Sequence, residues 1–203
     1  MSTPTLAFYF APGSSSMAPH IALHEVGAAF EARPVSFASQ EHRSEAFLAL
    51  NPEGKVPTLL VDGRPLTEVA AILWYLARRF PEADLLPSGD VESESRTISW
   101  MSFIASTVHP VLRYPDRVFE VFKLADAKLG SSAWAVGRYS IADIHLFRLF
   151  WRFWHSDHPP PEEFPNLVGH YRRMAVRPSL RRTCQIEAQI GYELRRLRLR
   201  DDP

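Results

Sequence analysis

Strand signals are confined to one end of this chain. They end before residue 68, and beyond the segment 81–90 only helical periodicity remains. That segment holds two prolines, a glycine and three acids in ten residues, which marks a boundary. The expected organisation is therefore a mixed α/β unit at 1–80, a linker at 81–90 and an all-α unit at 91–203. With 46% hydrophobic residues, both units have material for a core.

In the first unit, Leu6–Phe10 is a short apolar run stopped by Ala11-Pro12-Gly13, and residues 16–26 have helical spacing with Pro19 in the first turn. Residues 30–37 read as a second strand and 44–50 as a short helix. Two further strands flank the turn pair Asp62-Gly63. Val69, Ile72, Leu73, Leu76 and Phe80 then share one helical face, and Pro81 stops it. The order is β-α-β-α-β-β-α. Helices are expected at 92–113, 116–129, 140–155, 166–176 and 179–198.

Lys plus Arg and Asp plus Glu each total 23, so no net field favours nucleic acid or an anionic membrane. The single cysteine, Cys184, cannot form an internal disulfide, and the N-terminal segment lacks a signal-peptide pattern, which points to the cytoplasm. The most apolar stretch, 141–154, carries Asp143, His145, Arg148 and Arg152 and reads as a buried helix. No Cys/His cluster has metal-ligand spacing, and no metal is expected.

Three constellations carry chemistry. Residues 11–20, Ala-Pro-Gly-Ser-Ser-Ser-Met-Ala-Pro-His, deliver hydroxyls to a helix start. The dipole favours an anion there by ~0.3–1 kcal/mol, and a hydroxyl bonded to a thiolate adds ~1.5–3 kcal/mol. Serines at such a position also serve simply as caps. The second, 51–59, places Pro57 at a strand start, where it removes a ladder donor. In the third, Glu68 and the N–H groups of Glu68 and Val69 meet at a helix N-terminus, suited to a ligand with both an ammonium and a carboxylate.

In this order and spacing, the three motifs resemble the glutathione-binding domain of the glutathione transferases, and the bacterial beta class most of all. The beta-class segment Pro-Gly-x-Cys-Ser-x-x-Pro-His matches Pro12, Gly13, Ser15, Ser16, Pro19 and His20, with Ser15 where that class has cysteine. The resemblance implies a thioredoxin-like N-terminal domain, a cis Val56-Pro57 bond, an all-helical C-terminal domain and a homodimer. It further implies a glutathione transferase that stabilises the thiolate and conjugates it to a small hydrophobic electrophile. Glutathione is then co-substrate, and no tightly bound cofactor is expected. Reduction, dehalogenation, isomerisation or ether cleavage at the same site, or a noncatalytic binding or regulatory protein, are the alternatives.

By the same resemblance, Ser15, Ser16 and His109 are the candidate catalytic residues, with either serine able to contact the sulfur. Ser15, Lys55, Val56, Pro57, Glu68, Val69, Ser102, Ser106 and His109 are the glutathione-binding candidates. Ser102, Ser106, His109 and Arg113 fall at i, i+4, i+7 and i+11, one polar stripe of an α-helix. Gln40 sits near where the beta class offers a lysine, for which Lys55 substitutes. The Ser140-Ile141-Ala142-Asp143 box resembles one that starts a buried helix in this family, with a structural role only.

Overall fold

The computed structural model describes residues 4–87, 90–194, 197–199 and 201. In chain order the first domain contains β1 (Leu6–Phe10), α1 (Met17–Glu25), β2 (Glu31–Pro34), α2 (Glu45–Leu50), β3 (Thr58–Val61), β4 (Arg64–Thr67) and α3 (Val69–Arg79). The second contains α4 (Val91–Phe103), α5 (His109–Val111), α6 (Pro115–Leu129), α7 (Ile141–Asp157), α8 (Pro165–Ala175) and α9 (Pro178–Ile190). A mixed sheet domain is thus followed by a helical one.

The sheet order is β2-β1-β3-β4. Crossover through α1 makes β1 and β2 parallel, while β3 is antiparallel to both β1 and β4. Asp62 and Gly63 both have positive φ, 50° and 77°, as a two-residue hairpin turn of the twist-matching kind requires. Alternation along β1 splits the core: Phe8 and Phe10 face the main core with α1 and α3, whereas Tyr9 packs edge-on to Phe47 across the sheet.

In the helical domain α7 is the axis. It contacts α1, α3, α4 and α8 and buries Phe147, Phe150, Phe153 and Trp154. The Ser140 hydroxyl accepts the Ala142 N–H at 3.2 Å, and the fully buried Asp143 carboxylate accepts the N–H groups of Ser140 at 2.9 Å and Ala135 at 2.8 Å. His170 Nε2 approaches the same carboxylate at 3.1 Å. Every one of these groups is buried or half-buried, so the carboxylate's contacts replace water that the fold has removed.

Two helices differ from the expectation. The run expected at 92–113 is interrupted by a π turn at Ile104–Val108, with α5 as its last turn. The helix expected at 179–198 stops at Ile190 because Gly191, at φ 104°, turns the chain away. Residues 195 and 196 of that expected helix lie outside the described residues. From there the chain returns to the first domain: the Glu193 N–H donates to Pro12 O at 3.0 Å, and the Glu193 carboxylate accepts the N–H groups of Phe37 and Ala38.

Asp143→Ala leaves buried donors without an acceptor and is expected to lower unfolding stability by about 3–5 kcal/mol in urea titration. Ser140→Ala removes one cap and is expected to cost about 1 kcal/mol.

Candidate functional site

Between the sheet domain and the α4–α5 segment lies a cleft of about 250 Å³. From the first domain it is lined by Ser15, Lys55, Val56, Pro57, Glu68 and Val69, so six of the sequence candidates meet here. His109 joins them from the helical domain. A larger hollow of about 530 Å³ lies in the helical domain against Trp151, Tyr171 and Cys184, and none of the candidates lines it.

The three consecutive serines have different environments. Ser16 is fully buried: its hydroxyl donates to Ala11 O at 3.1 Å, accepts the Ala11 N–H at 3.1 Å and meets Ser14 Oγ at 2.7 Å. Its candidacy as a thiol contact is therefore corrected; the hydroxyl closes the Ala11–Ser16 turn and has no access to the cleft. Nor does it cap α1, which has no side-chain cap bond. Ser15 alone of the three is partly exposed and lines the cleft, its hydroxyl donating to Val56 O at 3.2 Å.

This turn is held from the far end of the chain. The fully buried Glu187 on α9 accepts the Gly13 N–H at 2.7 Å through Oε2 and pairs with His20 Nδ1 at 2.8 Å through Oε1. Arg148 on α7, 1% exposed, donates from Nε to Ser14 O at 2.9 Å and from Nη2 to Gly13 O at 3.1 Å. Burial, reinforced by the charge of Arg152, pulls the Arg148 guanidinium down to about 9, so it remains a cation at neutral pH. Neither Arg148 nor Glu187 was a sequence candidate.

Opposite Ser15, the Val56-Pro57 bond is cis. Asn51, 4% exposed, secures this strand entry by donating from Nδ2 to Lys55 O at 2.8 Å and Thr58 Oγ1 at 3.2 Å. Glu68 adopts φ 68°, ψ 126°, a conformation that costs a non-glycine residue about 1–3 kcal/mol and is concentrated at ligand clamps. It heads α3, whose first-turn N–H groups lack intrahelical acceptors. The exposed Glu68 carboxylate makes no hydrogen bond or ion pair among the described residues. Lys55 pairs with Glu53 at 2.6 Å. Gln40 lies outside the cleft lining and donates to Phe37 O.

The helical side overturns the stripe expected from α-helical spacing. Just after the π turn, the ring of Pro110 in α5 removes a backbone donor and, in a continuous α-helix, conflicts with the carbonyl four residues earlier, that of Ser106. The extra residue in the turn shifts the helix phase by about 100°. Ala105, His109 and Arg113 consequently share the cleft face, while Ser102 and Ser106 are exposed outside its described lining. The Ser106 hydroxyl instead donates to Ser102 O at 2.8 Å. The structure therefore does not bring Ser102 or Ser106 into this cleft with the other candidates, and Pro110 is the sequence signal that marks the shift.

His145, missed by sequence reasoning, reaches the cleft from α7. Burial, with the charges of Arg148, Arg152 and Arg113, lowers His109 to about 4; burial, with His109 and Arg148, lowers His145 to about 3. Both imidazoles are neutral at pH 7.

A family model described as "Glutathione S-transferase, N-terminal domain" matches residues 4–78, and one described as "Glutathione S-transferase, C-terminal domain" matches 111–178. "Glutathione S-transferase GstA" of Escherichia coli O157:H7 is 31% identical over 200 residues, covering 90% of this chain and 98% of the relative. The chain belongs to the glutathione S-transferase family. Among solved structures, the beta-class glutathione S-transferase of Sphingomonas chungbukensis superposes with TM-score 0.80 at 34% identity, covering 89% of this chain and 98% of that one. A sphingomonad glutathione S-transferase complexed with glutathione gives TM-score 0.79 at 31% identity, covering 90% and 98%. The glutathione transferase architecture and the assignment as a glutathione transferase stand on these matches together with the fold.

Three depressed histidines make the fold acid-sensitive. His24, lowered to about 4 chiefly by burial, joins His109 and His145, against 6.5 for free histidine. Between these values the unfolded chain binds protons that the folded chain does not, so stability is complete above 6.5 and falls as pH drops toward 4. Urea unfolding is expected to show a stability decline from about pH 8 to about pH 5.

Proposed function

We propose that this transferase binds glutathione extended along the first domain's side of the cleft, stabilises its thiolate at Ser15 and conjugates it to a small electrophile with a hydrophobic body. The observation that carries this reading is the selection among the serines: one hydroxyl faces the cleft at the head of α1, beside the Val56 carbonyl, while its two neighbours are buried in the turn. In the bound state the Ser15 hydroxyl exchanges a neutral bond to Val56 O, worth about 1 kcal/mol net, for a bond to a charged sulfur worth ~1.5–3 kcal/mol.

With the α1 dipole, the stabilisation amounts to a depression of roughly 1.5–3 units from a thiol pKa of ~8.5. The thiol proton leaves to solvent, since His109 at about 4 is too weak a base to hold it at neutral pH. We assign His109 the role of a neutral hydrogen-bonding wall near the sulfur. The Val56 backbone pairs with the cysteinyl segment. Glu68 takes the γ-glutamyl ammonium, and the free N–H groups at Glu68 and Val69 take its carboxylate. Lys55 serves the glycyl carboxylate by sharing its ammonium with Glu53.

We also place the domain limits at residues 80 and 91 and infer a cytoplasmic homodimer. Supporting the dimer, Val91 and Ile98 stand i, i+7 on α4 with 77% and 49% exposure, an apolar stripe facing outward. Supporting a location away from the bilayer, no helix among the described residues is long and apolar enough to cross a membrane.

Ser15→Ala is expected to raise the pKa of the bound thiol by about 1–2 units in ultraviolet difference titration. Ser16→Ala is expected to leave that pKa in place while lowering stability by about 1–3 kcal/mol. An unmoved thiol in Ser15→Ala would transfer the role to the α1 N–H groups. Calorimetric titration of Glu68→Gln is expected to show glutathione binding weakened by ~1–3 kcal/mol.

A further inference from the structure

The glutathione features occupy the side of the cleft supplied by the first domain. The other side comes from Ala105, His109, Pro110, Arg113 and His145, and it contains no carboxylate; the acids of the lining, Glu53 and Glu68, belong to the first domain. Two groups on this side lack partners among the described residues. The Arg113 guanidinium is exposed at the cleft wall and makes no hydrogen bond or ion pair among the described residues. His145 is 2% exposed, and its buried Nδ1 has no partner.

A buried donor left without an acceptor is costly, so such groups mark positions that a ligand completes. The geometry points to an anion subsite: we propose that the electrophile bears a carboxylate, held by Arg113 and His145, with its apolar body on Ala105 and Pro110. This rests on the transferase reading above and specifies its second substrate. Burial chiefly keeps both imidazoles neutral; the nearby arginines, which add to that effect, attract a carboxylate. Neutral His145 retains one N–H to donate, and Arg113 supplies a charged fork that suits a carboxylate.

For a conjugated ketone carrying the carboxylate, the thiolate sulfur bonds to the β-carbon and the C=C pair moves to the carbonyl oxygen as an enolate. The α-carbon then takes a proton from water, balancing the proton that the thiol released. The carboxylate anchors the substrate without reacting, and no oxidant or reductant enters.

The test separates binding from turnover. The full chain is saturated with S-methylglutathione and titrated calorimetrically with the unreactive acid β-benzoylpropionate and with its methyl ester. The acid is expected to bind at least about tenfold tighter, the scale of a charge-assisted contact. Arg113→Ala is expected to abolish that preference, and Arg113→Lys to retain part of it. Equal affinity for acid and ester, or an undiminished preference in Arg113→Ala, overturns the subsite. Turnover is then read with β-benzoylacrylate and its methyl ester, each rate divided by its uncatalysed rate. Turnover of both without preference for the acid sinks the subsite and keeps the transferase reading. Acid-selective binding without turnover of either keeps the subsite and sinks the conjugation chemistry.

Discussion

One buried carboxylate ties the site together. Glu187 on α9 reaches Gly13, 174 positions earlier in the chain, and its second oxygen holds His20 on α1. Removing that carboxylate from water is expensive; the pairing with His20, the short bond from Gly13 and the nearby Arg148 charge offset the cost. Arg148 completes the arrangement by drawing in the carbonyls of Gly13 and Ser14. The turn that carries Ser15 is thus gripped at its N–H by an acid and at its carbonyls by a cation, both from the helical domain. The position of this turn is a product of domain docking. A sheet domain alone has the serines and the local bonds that bury Ser16, but not the grip on the backbone of Gly13 and Ser14.

The division of labour across the cleft follows from the same layout. On the first domain's side the cleft is lined by Val56 and Pro57 at the start of β3 and by Glu68 and Val69 at the head of α3. The α4–α5 segment and α7 provide cationic and neutral-imidazole character. The π turn sets this second wall: by shifting the phase of the helix at Pro110, it brings His109 and Arg113 onto the face of Ala105 and leaves Ser102 and Ser106 outside.

Legibility in the sequence tracked how local each cause was. The hairpin at Asp62-Gly63, the apolar face of α3 and the Ser140–Asp143 cap are written within a few residues, and the structure realises them. The three motifs converge because each sits at the end of a strand or the start of a helix, where the topology gathers them. What escaped the sequence depends on distant partners or on backbone phase. Ser15 and Ser16 are adjacent and chemically identical; Ala11, Ser14 and the docking of α1 decide which is buried. No periodic pattern announces that Glu187 belongs to Gly13. Pro110 was visible, but its effect appears only when its clash is traced back to the Ser106 carbonyl. Beyond residue 190 the helical pattern continues, yet Gly191 ends the helix, and Glu193 ties the chain back to the first domain.

Arg148 also bears on how the cleft behaves in different solutions. Mobile ions screen an exposed guanidinium such as Arg113 over about 10 Å at 0.1 M salt, and more strongly as salt rises. They cannot crowd around a guanidinium that is 1% exposed. Behind the Ser15 turn, Arg148 and the buried Glu187 therefore form a charge arrangement that belongs to the folded protein rather than to its ionic atmosphere. Concentrated salt weakens the contribution of Arg113 at the rim while the grip of Arg148 and Glu187 on the turn persists.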